Sequence, residues 1–546
     1  MNEQNQNIKA LPGKPQTNIS ALATLVIVFF FWGFIAASNS IFIPFCKEHF
    51  NLTQFESQLI GSAFYGAYFI GSLLLFILSN IRGIDILNRI GYKRGIIYGL
   101  FISSVGALLI IPSANAESFP AILASYFVIA LGFSLQQTAA NPFAILLGDP
   151  ATGSHRLNFA GGVNSLGTTL GPIIISFFLF GSVGNTDKVV TVSNVNTLYL
   201  IVASVFTAVA LFFLFSKSLP DGKNEEHFEK ANKASKALIT MTAIILGVIL
   251  LAQFTEVNEL LLLGIIIVTV CGILYYSNTQ AKANPHGWGA MAYPQLVLGM
   301  LAIFVYVGVE VTIDNNFGAL LKVPGYFNEE GLSESQISKY VSLYWGSLMI
   351  GRWTGAISVF NLTGMKRIIA TIVVPFVAFA VILTANSING SDVSDLFGYS
   401  IFIVIAILAF FYSQEKPVKT LLTVSVLALA FMLLGVFTNG IVSVYAFMAG
   451  GLCCSVMWPG IFALAISGLG KYTSQGSAFL IMMILGGAVI PPLQGALGDV
   501  PSIGMHYSYL FAAFCFALII IITLKFRDIL KKQGIDYDAQ IESKGH

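Results

Sequence analysis

The chain has 546 residues, of which 56% are hydrophobic and 10% charged, with a formal net charge of +2. So few charges cannot cover a water-soluble fold of this length, and the net charge by itself says nothing about nucleic acid, because what matters beside a bilayer is the side each charge occupies. Apolar runs of about 20 residues recur along the whole chain, the length that crosses a hydrocarbon core as a helix.

The first 18 residues are polar and lack the apolar core and small-residue cleavage site of a signal peptide, so they read as a cytoplasmic tail. Six spans follow, at roughly 20–45, 54–79, 95–113, 118–148, 156–182 and 196–216. A polar stretch, 217–236, leads to a pair of runs at roughly 236–254 and 259–277. Further spans lie at roughly 292–318, 339–359, 366–387, 441–468, 474–496 and 506–526, with a second pair at 396–414 and 417–437. A pair of helices leaves the sidedness downstream unchanged, and either 366–387 or 417–437 can serve as the ninth core helix. The expected fold is an all-α polytopic membrane protein of about 16 transmembrane helices. A bundle at 19–216 and a bundle at 291–526 each contribute six core helices. One inserted hairpin lies in the cytoplasmic linker 217–290, another near 396–437, and 527–546 forms a cytoplasmic tail.

Charge placement supports this topology. With the N-terminus inside, only Lys47, Lys188, Lys322 and Lys339 fall in outer loops, leaving 24 of the 28 basic residues (28 minus 4) on the cytoplasmic side. The loop after the second span carries Gly91-Tyr92-Lys93-Arg94, and the corresponding loop of the second half carries Gly364-Met365-Lys366-Arg367. The fourth spans share Asn141-Pro142-Phe143 and Trp458-Pro459-Gly460. Two parallel six-helix halves related by an axis along the membrane normal describe the major facilitator architecture, with a substrate site midway through the bilayer.

Gln136-Gln137-Thr138-Ala139-Ala140-Asn141-Pro142-Phe143 looks like the fourth-helix motif of a known group of facilitators. Arg156-Leu157-Asn158, Asn164 to Gly167, Ser62 to Tyr65, Asn39 near Pro44, Tyr306 to Glu310 and Gly470 through Gly487 match as well. On these residues the twelve core helices resemble the fucose:proton symporter family, which includes bacterial glucose/galactose transporters; the two hairpins are unmatched. The resemblance implies a sugar transporter of the inner membrane, with cation-coupled symport of glucose, galactose or fucose. The fucose symporters carry acids where this chain has Ser40 and Gln137, so their proton-coupling residues do not carry over. A cation-independent facilitator and a non-transporting sugar sensor stay open as alternatives. The 217–236 loop has neither nucleotide-binding glycines nor metal-ligand spacing, so no enzyme is expected.

A sugar site needs paired donors and acceptors beside flat apolar faces. Asn39, Gln136, Gln137, Asn141, Asn158 and Asn164 offer amides, and Trp345 and Trp458 offer rings, for substrate binding; the alternative for the amides is interhelical hydrogen bonding. Glu310 and Asp314, four residues apart in an apolar run, project from one helix face and are the candidate groups for coupling to H+ or Na+. No histidine is expected deep in a span. Arg89, Lys93, Arg94, Arg352, Lys366 and Arg367 are placed for gating contacts on the cytoplasmic side, and Arg352 can pair with a carboxylate across the interface. Gly161, Gly162, Gly167, Gly171, Gly486 and Gly487 permit close packing, and Pro172, Pro491 and Pro492 permit bends. A sugar and the lipid bilayer are the expected partners, with no nucleic acid, no cofactor, no metal beyond a Na+ near Glu310, and a monomeric chain.

Overall fold

The computed structural model describes residues 17–52, 54–180, 191–223, 229–254, 257–332, 334–360, 362–414 and 416–542. The first stretch of helices is α1 (Ile19–His49), α2 (Gln54–Arg82), the short α3 (Ile86–Ile90), α4 (Tyr92–Asn115), α5 (Phe119–Leu146), α6 (Gly153–Phe180) and α7 (Val192–Phe215). Two helices follow beyond the polar linker, α8 (Asn232–Phe254) and α9 (Glu259–Ala283). The remainder comprises α10 (Pro294–Leu321), α11 (Glu334–Ala356), α12 (Gly364–Ile388), α13 (Ser400–Ser413) and α14 (Pro417–Val436), then α15 (Gly440–Cys454) and α16 (Met457–Ala465). It ends with α17 (Thr473–Met482), α18 (Gly486–Gly498), α19 (Gly504–Ser508), α20 (Leu510–Lys532) and α21 (Tyr537–Glu542).

The helix ends are written locally. The Ser118 hydroxyl accepts the Ala121 N–H at the start of α5, where Pro120 occupies the first turn. Thr191 and Asn194 cap α7 reciprocally. Among the described residues, 13 helices are long and apolar enough to cross a bilayer. The three other segments read as spans are helices too: α1, α6 and α11, of 31, 28 and 23 residues.

The packing repeats. In the first half α1 lies on α6, α2 on α5, and α4 on both α5 and α7. In the second α10 lies on α18, α11 on α15, and α14 on α15, α16 and α20. Residues 417–436, not 366–387, therefore hold the position that α4 holds in the first half. Equivalent crossings are also equally tight. A Cβ on Gly33 or Gly167 would overlap the backbone of the facing helix at the α1/α6 crossing, and one on Gly486 would overlap the Phe304 carbonyl at the α10/α18 crossing.

Burial separates core from periphery. The apolar window of α10 is 89% buried, whereas those of α9 and α12 are 28% buried. Val268 and Tyr275 on α9 and Ile401 and Leu408 on α13 are exposed by 62 to 74%, a surface that only hydrocarbon accommodates. The halves meet along two seams, α2 against α17 and α6 against α11. α8 rests on α2 while α9 touches α18 and α10, beside the first seam; α12 rests on α11 and touches α6, beside the second.

Arg156 locks the turn between α5 and α6. It is fully buried, donates to the carbonyls of Ala144 (2.8 Å), Ile145 and Asp149 (2.8 Å) and to the Thr152 hydroxyl (2.9 Å), and so satisfies the orphan carbonyls at the end of α5. Arg156→Ala strands those acceptors and is expected to cost about 3 kcal/mol or more. Arg156→Lys, with one point donor in place of the planar fork, should fall between the two. The thermal unfolding midpoint of purified protein in detergent measures both.

Candidate functional site

The two intramembrane carboxylates sit near the middle of α10, the most enclosed helix. Glu310 is buried. Arg352, one turn from the end of α11, places Nη2 3.5 Å from its Oε1, and neither side chain exceeds 15% exposure. Charges so enclosed persist only when paired and hydrogen-bonded. Arg352 meets the remaining requirement by donating from Nη1 to Ser165 Oγ on α6 (2.9 Å) and from Nε to the Ser455 carbonyl (3.4 Å). The Tyr344 hydroxyl donates to the Glu310 carbonyl (2.7 Å), fixing α11 against α10 at this level. The carboxylate partner of Arg352 thus lies within its own half, and its reach across the seam ends on a hydroxyl.

One turn further along α10, the Asp314 carboxyl lies beside the Trp345 indole, and its Oδ1 has no hydrogen-bond partner among the described residues. Tyr65 of α2 faces both carboxylates from the opposite half and packs on Gly487. Behind it Gln137 donates Nε2 to the Tyr68 hydroxyl (2.9 Å). One wall therefore carries Tyr65, Tyr68 and Gln137, and the other Glu310, Asp314 and Trp345. Trp458 is half-buried with its ring 6.3 Å from that of Tyr306.

The other amides separate by location. Gln136 is fully buried behind the first wall, with Oε1 accepting from Trp32 (2.7 Å) and Nε2 donating to Ser103 (3.0 Å), so its amide ties α1, α4 and α5 together. Asn164 donates to the Phe29 carbonyl (2.9 Å) and ties α6 to α1. Asn141 donates back to the Gln137 carbonyl (3.0 Å). Asn158 lies at the start of α6, beside Gly355 of α11. The side chains of Asn39 and Ser40 lie outside the described residues.

Toward the face that carries the basic loops, the halves are shut against each other. Trp353 donates to the Gly162 carbonyl (3.1 Å), Ser477 to the Thr138 carbonyl (2.8 Å), Ser474 to Asp85 (2.9 Å) and Asn88 to the Lys471 carbonyl (3.4 Å). His155, buried in the first turn of α6, bonds the Gly355 carbonyl through Nδ1 (3.1 Å). The expected gate cations mostly do not take part. Arg89, Arg94 and Lys366 point into water, and Lys93 is buried against its own half, donating to the Ser216 carbonyl at the end of α7 (2.6 Å). Of the six, Arg352 reaches across, and Arg367 lines a cavity. Asn88, Trp353 and His155 were missed because single side chains that bond carbonyls leave no charge pattern in a sequence, and Asp85 because its partner across the seam is the uncharged Ser474.

Two acids outside the spans are tuned by this closure. Burial pushes the Asp85 carboxyl above the ordinary range, partly offset by the Asn88 N–H and the Ser474 hydroxyl. Glu229, in the linker, is held below the ordinary range by the Tyr472 hydroxyl, with Lys471 and His286 adding to it. Its contribution is present above the ordinary carboxylate pKa and is lost as pH falls through the lowered value, and solvent screening keeps it small.

Residues 24–414 match the family model of the Major Facilitator Superfamily. The chain belongs to that superfamily. This major facilitator is 30% identical to the glucose/galactose transporter of Brucella abortus biovar 1 (strain 9-941) over 499 residues, 91% of this chain and 92% of that one. It is 25% identical to the L-fucose-proton symporter of Escherichia coli (strain K12) over 530 residues, 93% of each. A crystal structure of the Escherichia coli fucose:proton symporter superposes with a TM-score of 0.62 at 22% identity, covering 94% of this chain and 99% of that one.

The pair at the centre of this facilitator predicts a specific mutational pattern. Glu310→Ala or Arg352→Ala alone leaves an uncompensated buried charge and should destabilise by about 3–5 kcal/mol, whereas the double substitution should be milder than the worse single change. A thermal-unfolding double-mutant cycle reads the coupling.

Proposed function

We propose that the chain carries a monosaccharide of the glucose, galactose or fucose class across the cell membrane by alternating access, in symport with a proton. The names of the relatives support the substrate class, and the two facing walls supply what such a molecule needs: amide and hydroxyl groups from Gln137, Tyr65 and Tyr68, and aromatic faces from Tyr65 and Trp345. Twelve core helices form the carrier. The repeated packing supports reading α12 and α13 as the second peripheral pair, beside α8 and α9, and with it a carrier of 16 spans whose chain ends both lie in the cytoplasm. The domains then run 19–216 and 291–526, with the second inserted pair at 364–413 in place of 396–437. On that orientation the closed face is cytoplasmic.

The observation that carries the coupling is the Glu310–Arg352 pair and its third contact, Ser165. A proton and the guanidinium compete for one carboxylate. When Glu310 takes the proton, Arg352 loses its counter-charge, and the seam contact that the pair holds in place weakens. A sodium ion is the poorer candidate at Glu310, because the guanidinium already lies 3.5 Å away and a second cation there would be repelled. Substrate entering between Tyr65 and Trp345 and a proton arriving at Glu310 then bias the same rocking of the halves.

Purified protein in proteoliposomes tests this. Glu310→Gln, a fixed mimic of the protonated acid, is expected to retain sugar counterflow and lose accumulation driven by a pH gradient. Replacing Na+ by choline should leave the wild type unaffected. Full pH-driven accumulation by Glu310→Gln, or dependence of the wild type on Na+, would contradict the reading.

A further inference from the structure

A second site lies away from the central walls, at the basic-loop end of the α6/α11 seam. A cavity of about 340 Å³ is enclosed there by α6, α11, α12, α13, α14 and α16. Its walls are chemically divided. Arg367 and His155 bring the ionisable groups. Ile368, Phe410 and Phe411 form an apolar side, with Ile368 44% and Phe411 40% exposed on the hydrocarbon-facing surface. Asn158, 5% exposed, also lines the cavity, and its Oδ1 has no hydrogen-bond partner among the described residues. A buried acceptor in that condition is costly and asks for a donor from outside the chain.

We propose that this cavity binds an anionic phospholipid with a hydroxylated headgroup, of which phosphatidylglycerol is the simplest. The phosphate is placed at Arg367, where a guanidinium gives charge-assisted bonds. A headgroup hydroxyl donates to Asn158 Oδ1, and an acyl chain runs out along Ile368, Phe410 and Phe411 into the bilayer. The depth fits, because basic pockets between helices at the cytoplasmic interface are where anionic headgroups lie. Since α6 supplies Ser154, His155 and Asn158 and the later helices supply every other wall, the site is complete only while the two halves are closed on this face. A lipid held there favours that state by its differential affinity. The inference depends on the membrane placement of the chain but not on sugar transport, since lipid retention is measured without sugar.

The test uses the full chain in detergent, titrated with phosphatidylglycerol, phosphatidylcholine or soluble glycerol 3-phosphate, and read by native mass spectrometry and thermal shift. Wild type is expected to retain phosphatidylglycerol selectively and melt higher with it, with little response to the other two. Arg367→Gln should weaken retention about tenfold, the effect of losing one charge-assisted contact. Gly460→Leu should abolish it by filling the cavity, because a Cβ there meets only Leu421, at 3.9 Å, and leaves the fold room to form. Three results overturn the proposal: equal retention of phosphatidylcholine, equal protection by glycerol 3-phosphate, which would make the ligand a soluble phosphate ester, or wild-type retention in both variants.

Discussion

A carboxylate in the middle of a hydrocarbon slab has to find a counter-charge, and Glu310 finds Arg352 at 3.5 Å. Much of the central architecture serves that requirement. Arg352 must come from a helix packed tightly enough to reach α10, and Tyr344, bonded to the Glu310 carbonyl, holds α11 there. The guanidinium keeps donors to spare, and one of them goes to Ser165 on the other half. A single protonation event therefore touches both the charge balance within one bundle and a contact between bundles. Coupling between an ion and a conformational change requires that the ion bind the two states unequally, and the proposed symport assigns that difference to the Arg352–Ser165 contact, which depends on the charge of Glu310.

The peripheral helices have a physical logic of their own. α8 and α9 lie beside the α2/α17 seam, and α12 beside the α6/α11 seam. α12 contacts both halves, through α11 and α6, while α8 and α9 pack on each other and reach the first and second half respectively, so each group spans its seam on the lipid side. Their burial is shallow: they bury one face and give the rest to the bilayer.

The spans were legible in the sequence because a bilayer imposes one length and one composition on every helix that crosses it. The Lys-Arg repeats and the Pro-containing fourth spans also announced two related halves. The place of residues 417–436 was not legible: two helices running in the same direction have the same hydropathy pattern, and only packing on α15, α16 and α20 distinguishes α14 from α12. At the site, Glu310 stood out because a carboxylate in an apolar run is costly. The amides did not sort themselves. Gln136 and Gln137 are neighbours in sequence, yet a step of about 100° around the helix puts one between helices and the other toward Tyr68. Of the basic residues expected at the gate, Arg352 reaches across to Ser165, whereas other contacts that shut the seam are carbonyl bonds from Trp353, Ser477 and His155, which no charge pattern announces.

The most direct measurement is the proton itself. Wild-type protein reconstituted in liposomes carrying an internal pH dye, with no imposed pH gradient and choline as the only bulk cation, is given an inward gradient of glucose, galactose or fucose. The account predicts that the transported sugar acidifies the lumen as it enters. Sugar entry at full rate with a constant internal pH would contradict it.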